Sequence, residues 1–174
     1  MEGKIILITG GVRSGKSRYA QHLALQMSNE PVYLATARKW DFDFEQRIKR
    51  HQSDRDDRWT NIEEEKFISK CNLANKTVVI DCVTLWLTNF FVDFKNDIDE
   101  CLKVCHHEID QLKNTAGTFI MVSNEIGMGI HAETVVGRKF ADLQGWMNQY
   151  IAQQATTAIL MVSGIPLIIK GSAV

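Results

Sequence analysis

A chain of 174 residues with 45% apolar and 24% charged residues has the mix of a soluble globular protein, and the length for one domain, residues 1–174, with a sizeable core. Its formal net charge of −1 gives no footing for a nucleic-acid partner, and no run approaches the roughly 18 to 20 consecutive apolar residues of a membrane span. The N-terminal MEGKIILITGG lacks the apolar core and small-residue cleavage site of a signal peptide, and none of the four cysteines forms a C-x-x-C pair, so a reduced, cytoplasmic protein is expected.

The first expected element is a strand over KIILIT (4–9), a continuous apolar run of the kind carried by strands covered on both faces. GGVRSGKS follows at 10–17 and reads G-x-x-x-x-G-K-S: Gly10, then Gly11, Val12, Arg13 and Ser14, then Gly15, Lys16 and Ser17. Glycines at this spacing turn backbone amides inward around phosphate oxygens. Lys16 reaches the outer phosphates, the Ser17 hydroxyl can ligate Mg²⁺, and the next helix, SRYAQHLALQM, points its positive end at the anion.

A second strand is expected over VYLAT (32–36), then a helix over FEQRIKRHQSDR (44–55) that sets Phe44, Ile48, His51 and Arg55 on one face. TVVIDC (77–82) is the next strand. Asp81 near its end either holds the shell of a metal ion at the phosphates or caps the helix that begins near TLWLTN. Residues 97–114 place Ile98, Leu102, Cys105, Ile109 and Leu112 on one helical stripe. Cys101 and Cys105, beside His106 and His107, read either as buried thiols or as a metal hint. TFIMVS (118–123) is a strand followed by Asn124 and Glu125, where the glutamate serves either the chemistry or the loop. A helix over 133–155 carries Val136, Phe140, Leu143, Met147 and Ile151, with Gly137 and Gly145 weakening it. AILMVSG (158–164) and a short edge strand in PLIIK (166–170) complete the chain. Strand alternating with helix implies an α/β fold, a mostly parallel sheet with helices on both faces and ligands at the carboxyl ends of its strands.

His51 stands among Arg47, Lys49, Arg50, Arg55 and Arg58 in an otherwise near-neutral chain. A neutral imidazole attacks phosphorus competently, cationic neighbours keep it unprotonated, and arginines neutralise an attacked triphosphate. A histidine on a charged helix can equally be a solvated surface residue. A simple kinase would use the phosphate loop and leave His51 idle. A GTP-dependent switch protein should carry N-K-x-D after a later strand, where this chain has NEIG.

ITGGVRSGKSRYA, YLATA, RIKRHQSDRDDRW, VVIDCVTLWLTN, SNEIGMGI and VSGIPLIIK together resemble the bifunctional adenosylcobinamide kinase/adenosylcobinamide-phosphate guanylyltransferase family of cobalamin biosynthesis, in its order and spacing. The resemblance implies a P-loop NTPase domain similar to RecA and two reactions. Adenosylcobinamide is phosphorylated with ATP or GTP, and GMP is then transferred from GTP through a guanylyl-histidine. It implies that His51 is the guanylylated residue and Lys16 a catalytic one. Nucleotide contacts would fall on Gly10 to Ser17, on Thr36, Ala37 and Arg38, on Gln52, Ser53, Asp54 and Arg55, and on Glu63 and Asp81. Ser17 and Asp81 would be the Mg²⁺ residues and the assembly a homotrimer. Val12 stands where the family usually has alanine, and HAE (131–133) where it commonly has Val-Pro-Glu.

Overall fold

The computed structural model describes residues 2–38 and 56–172. His51, Gln52, Ser53, Asp54 and Arg55, with the helix expected around them, lie outside the described residues.

The described strands are β1 (Lys4–Gly10), β2 (Val32–Ala35), β3 (Thr60–Glu63), β4 (Lys76–Asp81), β5 (Gly117–Val122), β6 (Thr157–Val162) and β7 (Ile165–Lys170). The helices are α1 (Lys16–Met27), α2 (Val83–Asp93), α3 (Ile98–Asn114) and α4 (Val135–Gln154). The sheet runs β3-β2-β4-β5-β1-β6-β7, and every pairing is parallel except the β6–β7 hairpin.

The apolar runs form central strands because both of their faces are covered, and alternate residues divide the core in two. Ile6 and Ile8 of β1, Val79 of β4 and Ile120 and Val122 of β5 meet Ala20, Leu23 and Ala24 of α1 on one face. Ile5 and Leu7, Val78 and Ile80, Phe119 and Met121 meet Trp86 and Phe90 of α2, Cys105 and Ile109 of α3, and Met147 and Ile151 of α4 on the other. Each Val, Leu, Ile, Phe or Met side chain among them contributes roughly 1.5–3 kcal/mol by leaving water.

Helix starts follow side-chain chemistry. Asp97 caps α3 by accepting a hydrogen bond from the Glu100 N–H, and Thr134 caps α4 by accepting from the Gly137 N–H. Gly137 thus sits in the first turn, where its low helix propensity costs little. Val136 departs from the expected apolar stripe. It lies in the same first turn before α4 reaches the core, and is 49% exposed. Cys101 and Cys105 are fully buried, as thiols filling the α3 stripe would be. Among the described residues no three His, Cys, Asp or Glu side chains gather into a metal-holding group.

Candidate active site

The order of the strands gathers the site. β1 delivers the phosphate loop and β4 delivers Asp81, while β5 lies between them. At the carboxyl edge of these strands a cavity of about 510 Å³ is lined by Val12, Arg13, Ser14, Gly15, Lys16, Ser17, Arg18, Asp81, Cys82, Val122 and Asn124. The loop residues and Asp81, assigned from opposite ends of a 70-residue stretch, therefore share one cavity.

The loop is held on two sides. Gly10 has φ +149°, and a Cβ there would stand 2.5 Å from the Met161 carbonyl oxygen of β6, so only glycine lets the strands close around the turn. From the hairpin, the Gly164 N–H donates to the Ser14 carbonyl at 3.0 Å. Ser163 (φ 51°) and Gly164 (φ 84°) form the tight β6–β7 connection whose positive φ values suit a two-residue hairpin. Gly15 stands at the N-cap of α1 without a side-chain cap, so the first N–H groups of the helix remain for an anion.

Lys16 is only 7% exposed, and its Nζ donates to the Gly11 carbonyl at 2.6 Å and to Ser14 Oγ at 3.5 Å. Burial lowers its pKa, opposed by the Asp81 carboxylate. An arriving phosphate would supply the counter-charge that the ammonium lacks. Asp81 Oδ2 accepts from the Tyr33 hydroxyl at 2.8 Å. Asp81 does not cap α2: the N-cap is Cys82, and no side chain bonds that helix start. Burial pushes the Cys82 thiol up to about 12, so it stays a thiol beside the carboxylate.

Of the other described residues implied as nucleotide contacts, Thr36, Ala37, Arg38 and Glu63 do not line this cavity. Thr36 is fully buried, its hydroxyl donating to the Cys82 carbonyl at 2.8 Å and its N–H to the Asp81 carbonyl at 3.2 Å. Ala37 follows it. Arg38 Nε donates to Glu65 at 2.7 Å and its two terminal nitrogens to Asp93 at 2.9 and 3.0 Å. Glu63 ends β3 opposite Ala35. Glu125 takes up loop chemistry, accepting from the Gly127 N–H at 2.9 Å, and does not line the cavity. Sequence reasoning missed Tyr33 as the partner of Asp81, since only the pairing of β2 with β4 brings them together. It also missed Arg18, for which the basic residue after GKS in the first turn of α1 was the available signal.

A parallel sheet whose first strand opens through this loop onto a helix, facing a carboxylate on a neighbouring strand, defines a P-loop NTPase fold. A solved structure of a Pyrococcus horikoshii OT3 protein shares the fold at 10% identity, with a TM-score of 0.56 over 99% of this chain and 88% of that one. The family model described as cobinamide kinase / cobinamide phosphate guanyltransferase matches residues 6–169, and the chain belongs to this family of enzymes. It is 35% identical to the bifunctional adenosylcobalamin biosynthesis protein CobP of Pseudomonas aeruginosa, across 95% of this chain and 96% of that protein. It is 34% identical to the bifunctional adenosylcobalamin biosynthesis protein CobU of Escherichia coli, across 95% of this chain and 99% of that protein.

Proposed function

We propose that this chain, as one nucleotide-binding domain, phosphorylates adenosylcobinamide with ATP or GTP and then transfers GMP from GTP to give adenosylcobinamide-GDP and pyrophosphate. The observation that carries this reading is the phosphate loop at the α1 N-terminus sharing a cavity with Asp81, in a member of a family that joins the two activities. In the first reaction the substrate hydroxyl oxygen attacks the γ-phosphorus, the β–γ bridging bond breaks, and the nucleoside diphosphate leaves while the hydroxyl proton passes to solvent. Backbone N–H groups from Gly10 to Ser17 and the Lys16 ammonium hold the phosphates and offset their charge. In the second, an imidazole nitrogen of His51 attacks the α-phosphorus of GTP and pyrophosphate leaves. An oxygen of adenosylcobinamide phosphate then takes the GMP group and frees the histidine. Thr36, Ala37, Arg38, Gln52, Ser53, Asp54, Arg55 and Glu63 complete the nucleotide contacts of this proposal.

Mg²⁺ fits the donor set. Ser17 and Asp81 are hard oxygen ligands on one cavity, and among the described residues only Tyr33 hydrogen-bonds the Asp81 carboxylate, through Oδ2. When bound there, the ion would neutralise phosphate charge. The reading extends to a cytoplasmic homotrimer. Four free thiols suit a reducing compartment, and an exposed apolar edge at β7, with Ile165, Leu167 and Ile169 each more than half exposed, suits cover by another copy.

The test is intact-protein mass after incubation with GTP and Mg²⁺. Wild type should gain one GMP that mild acid removes, and His51→Ala should gain none. Absence of the adduct in wild type that demonstrably binds GTP would remove the transferase half and leave a plain kinase.

A further inference from the structure

Among the polar side chains that line the phosphate cavity, Asn124, like Arg18, has no task in the reading above. Asn124 lines the cavity with Lys16, Ser17 and Asp81. It lies beyond the end of β5, the strand between the loop strand and the Asp81 strand. Val122 pairs with Asp81 on one side and with Ile8 on the other, so the chain leaving β5 runs between the two halves of the site. The ladder with β1 continues past the strand, as the Ser123 N–H donates to the Ile8 carbonyl and the Glu125 N–H to the Gly10 carbonyl, each at 2.9 Å.

That extended run fixes which way residue 124 faces. Phe119 and Met121 point to the α2–α4 face, and Ile120 and Val122 to the α1 face. Continuing the period of two, Ser123 turns to α4, where its hydroxyl donates to Asn148 Oδ1 at 2.5 Å and accepts from Gln144 Nε2 at 3.0 Å. Asn124 turns to the α1 face, the side on which Val79 and therefore Asp81 also project. Its backbone is fully engaged. The N–H donates to Thr84 Oγ1 of α2 at 3.2 Å and the carbonyl accepts from Asn148 Nδ2 of α4 at 3.1 Å. The three side chains that anchor it from behind, Ser123, Gln144 and Asn148, are all at least nine-tenths buried. Its own side-chain amide has no hydrogen-bond partner among the described residues. A polar group so firmly placed in a phosphate cavity, with no side-chain partner among the described residues, is open to a ligand.

We propose that the Asn124 carboxamide is a catalytic group of this site, its N–H donating to an oxygen of the terminal phosphate of the nucleotide held by the loop. The inference rests on the nucleotide reading of the site. A neutral donor suits the place: beside Asp81 it adds no charge to oppose the phosphates, and it strengthens as negative charge builds on the transferring group.

The test measures nucleotide affinity by calorimetry and phosphorylation of adenosylcobinamide with ATP and with GTP, for Asn124→Ala, Asn124→Asp and Lys16→Ala, each checked for a wild-type melting transition. Asn124→Ala should lower kcat roughly a hundredfold, as loss of one transition-state donor does, while affinity changes far less. Asn124→Asp should be at least as damaging and should also weaken nucleotide binding, because it sets a carboxylate against the phosphates. Turnover of Asn124→Ala within about threefold of wild type, in a protein whose Lys16→Ala variant is inactive, overturns the Asn124 assignment alone. Near-normal turnover of Asn124→Asp also overturns it, since the group would then be accepting a hydrogen bond rather than donating one. Undiminished binding and turnover in Lys16→Ala would bring down the nucleotide reading itself.

Discussion

Asp93, at the last turn of α2, collects three hydrogen bonds from two cations. Arg38 reaches it through both terminal nitrogens at 2.9 and 3.0 Å, and Lys66 Nζ approaches to 2.6 Å. The Arg38 guanidinium first, then the Lys66 ammonium, hold the Asp93 carboxyl well below the usual carboxylate range. Between its folded and unfolded pKa the unfolded chain binds the extra proton, so the stabilisation is whole above about pH 4 and drains away as pH falls toward the lower, folded value. The side chains are 22 to 31% exposed, and solvent screening holds the network to about 1 kcal/mol. Asp93→Asn should therefore lower stability at pH 7 by that amount, and the deficit should shrink between pH 4 and pH 2. Urea denaturation across that range measures it, and a deficit independent of pH would show that packing rather than charge is lost. The same Arg38 guanidinium also donates from Nε to Glu65 at 2.7 Å, so it ties α2 to the chain that follows β3.

Among the elements, the union of β1 with β6 decides the shape of the phosphate loop. A Gly10→Ala substitution would drive a Cβ into the Met161 carbonyl, a backbone atom that moves only with its strand. We expect nucleotide affinity to fall at least tenfold, together with a lower melting temperature. Affinity by calorimetry decides it, and unchanged binding would mean that the loop tolerates a wider turn. Strands were legible wherever both faces are covered, because an unbroken apolar run has no other stable use: KIILIT, VYLAT, TVVIDC, TFIMVS and AILMVSG all become strands. Strand β3 was illegible for the opposite reason. Three of its four residues are exposed, its only strand partner among the described residues is β2, and TNIE carries no apolar period. The phosphate loop was legible because its chemistry is local. The Tyr33–Asp81 bond and the Ser123–Gln144–Asn148 cluster were not, since strand pairing and helix docking create them from residues 21 to 48 positions apart. Val136 shows the limit of helical periodicity, which marks a face but not where along the helix the core begins.

At the scale of the molecule, the two edges of the sheet differ. β3 ends it with polar residues, whereas β7 ends it with Ile165, Leu167, Ile168 and Ile169 all at least 40% exposed. An apolar edge strand with an unpaired backbone is a surface that solvent alone covers poorly. Light scattering should accordingly return the mass of three chains for the proposed homotrimer, and a single chain at micromolar concentration would remove that part of the proposal.

The bond from Gly164 to Ser14 spans almost the whole chain and has a consequence for the order in which the protein is made. β1 takes its place between β5 and β6, so during synthesis the first strand waits, apolar on both faces, until residues near 160 have emerged. Contacts so distant in sequence form late, because the intervening chain must close first. The loop at the start of the polypeptide thus acquires its finished wall from the hairpin near its end. A partly synthesised chain would carry every letter of the phosphate motif and still lack the cradle.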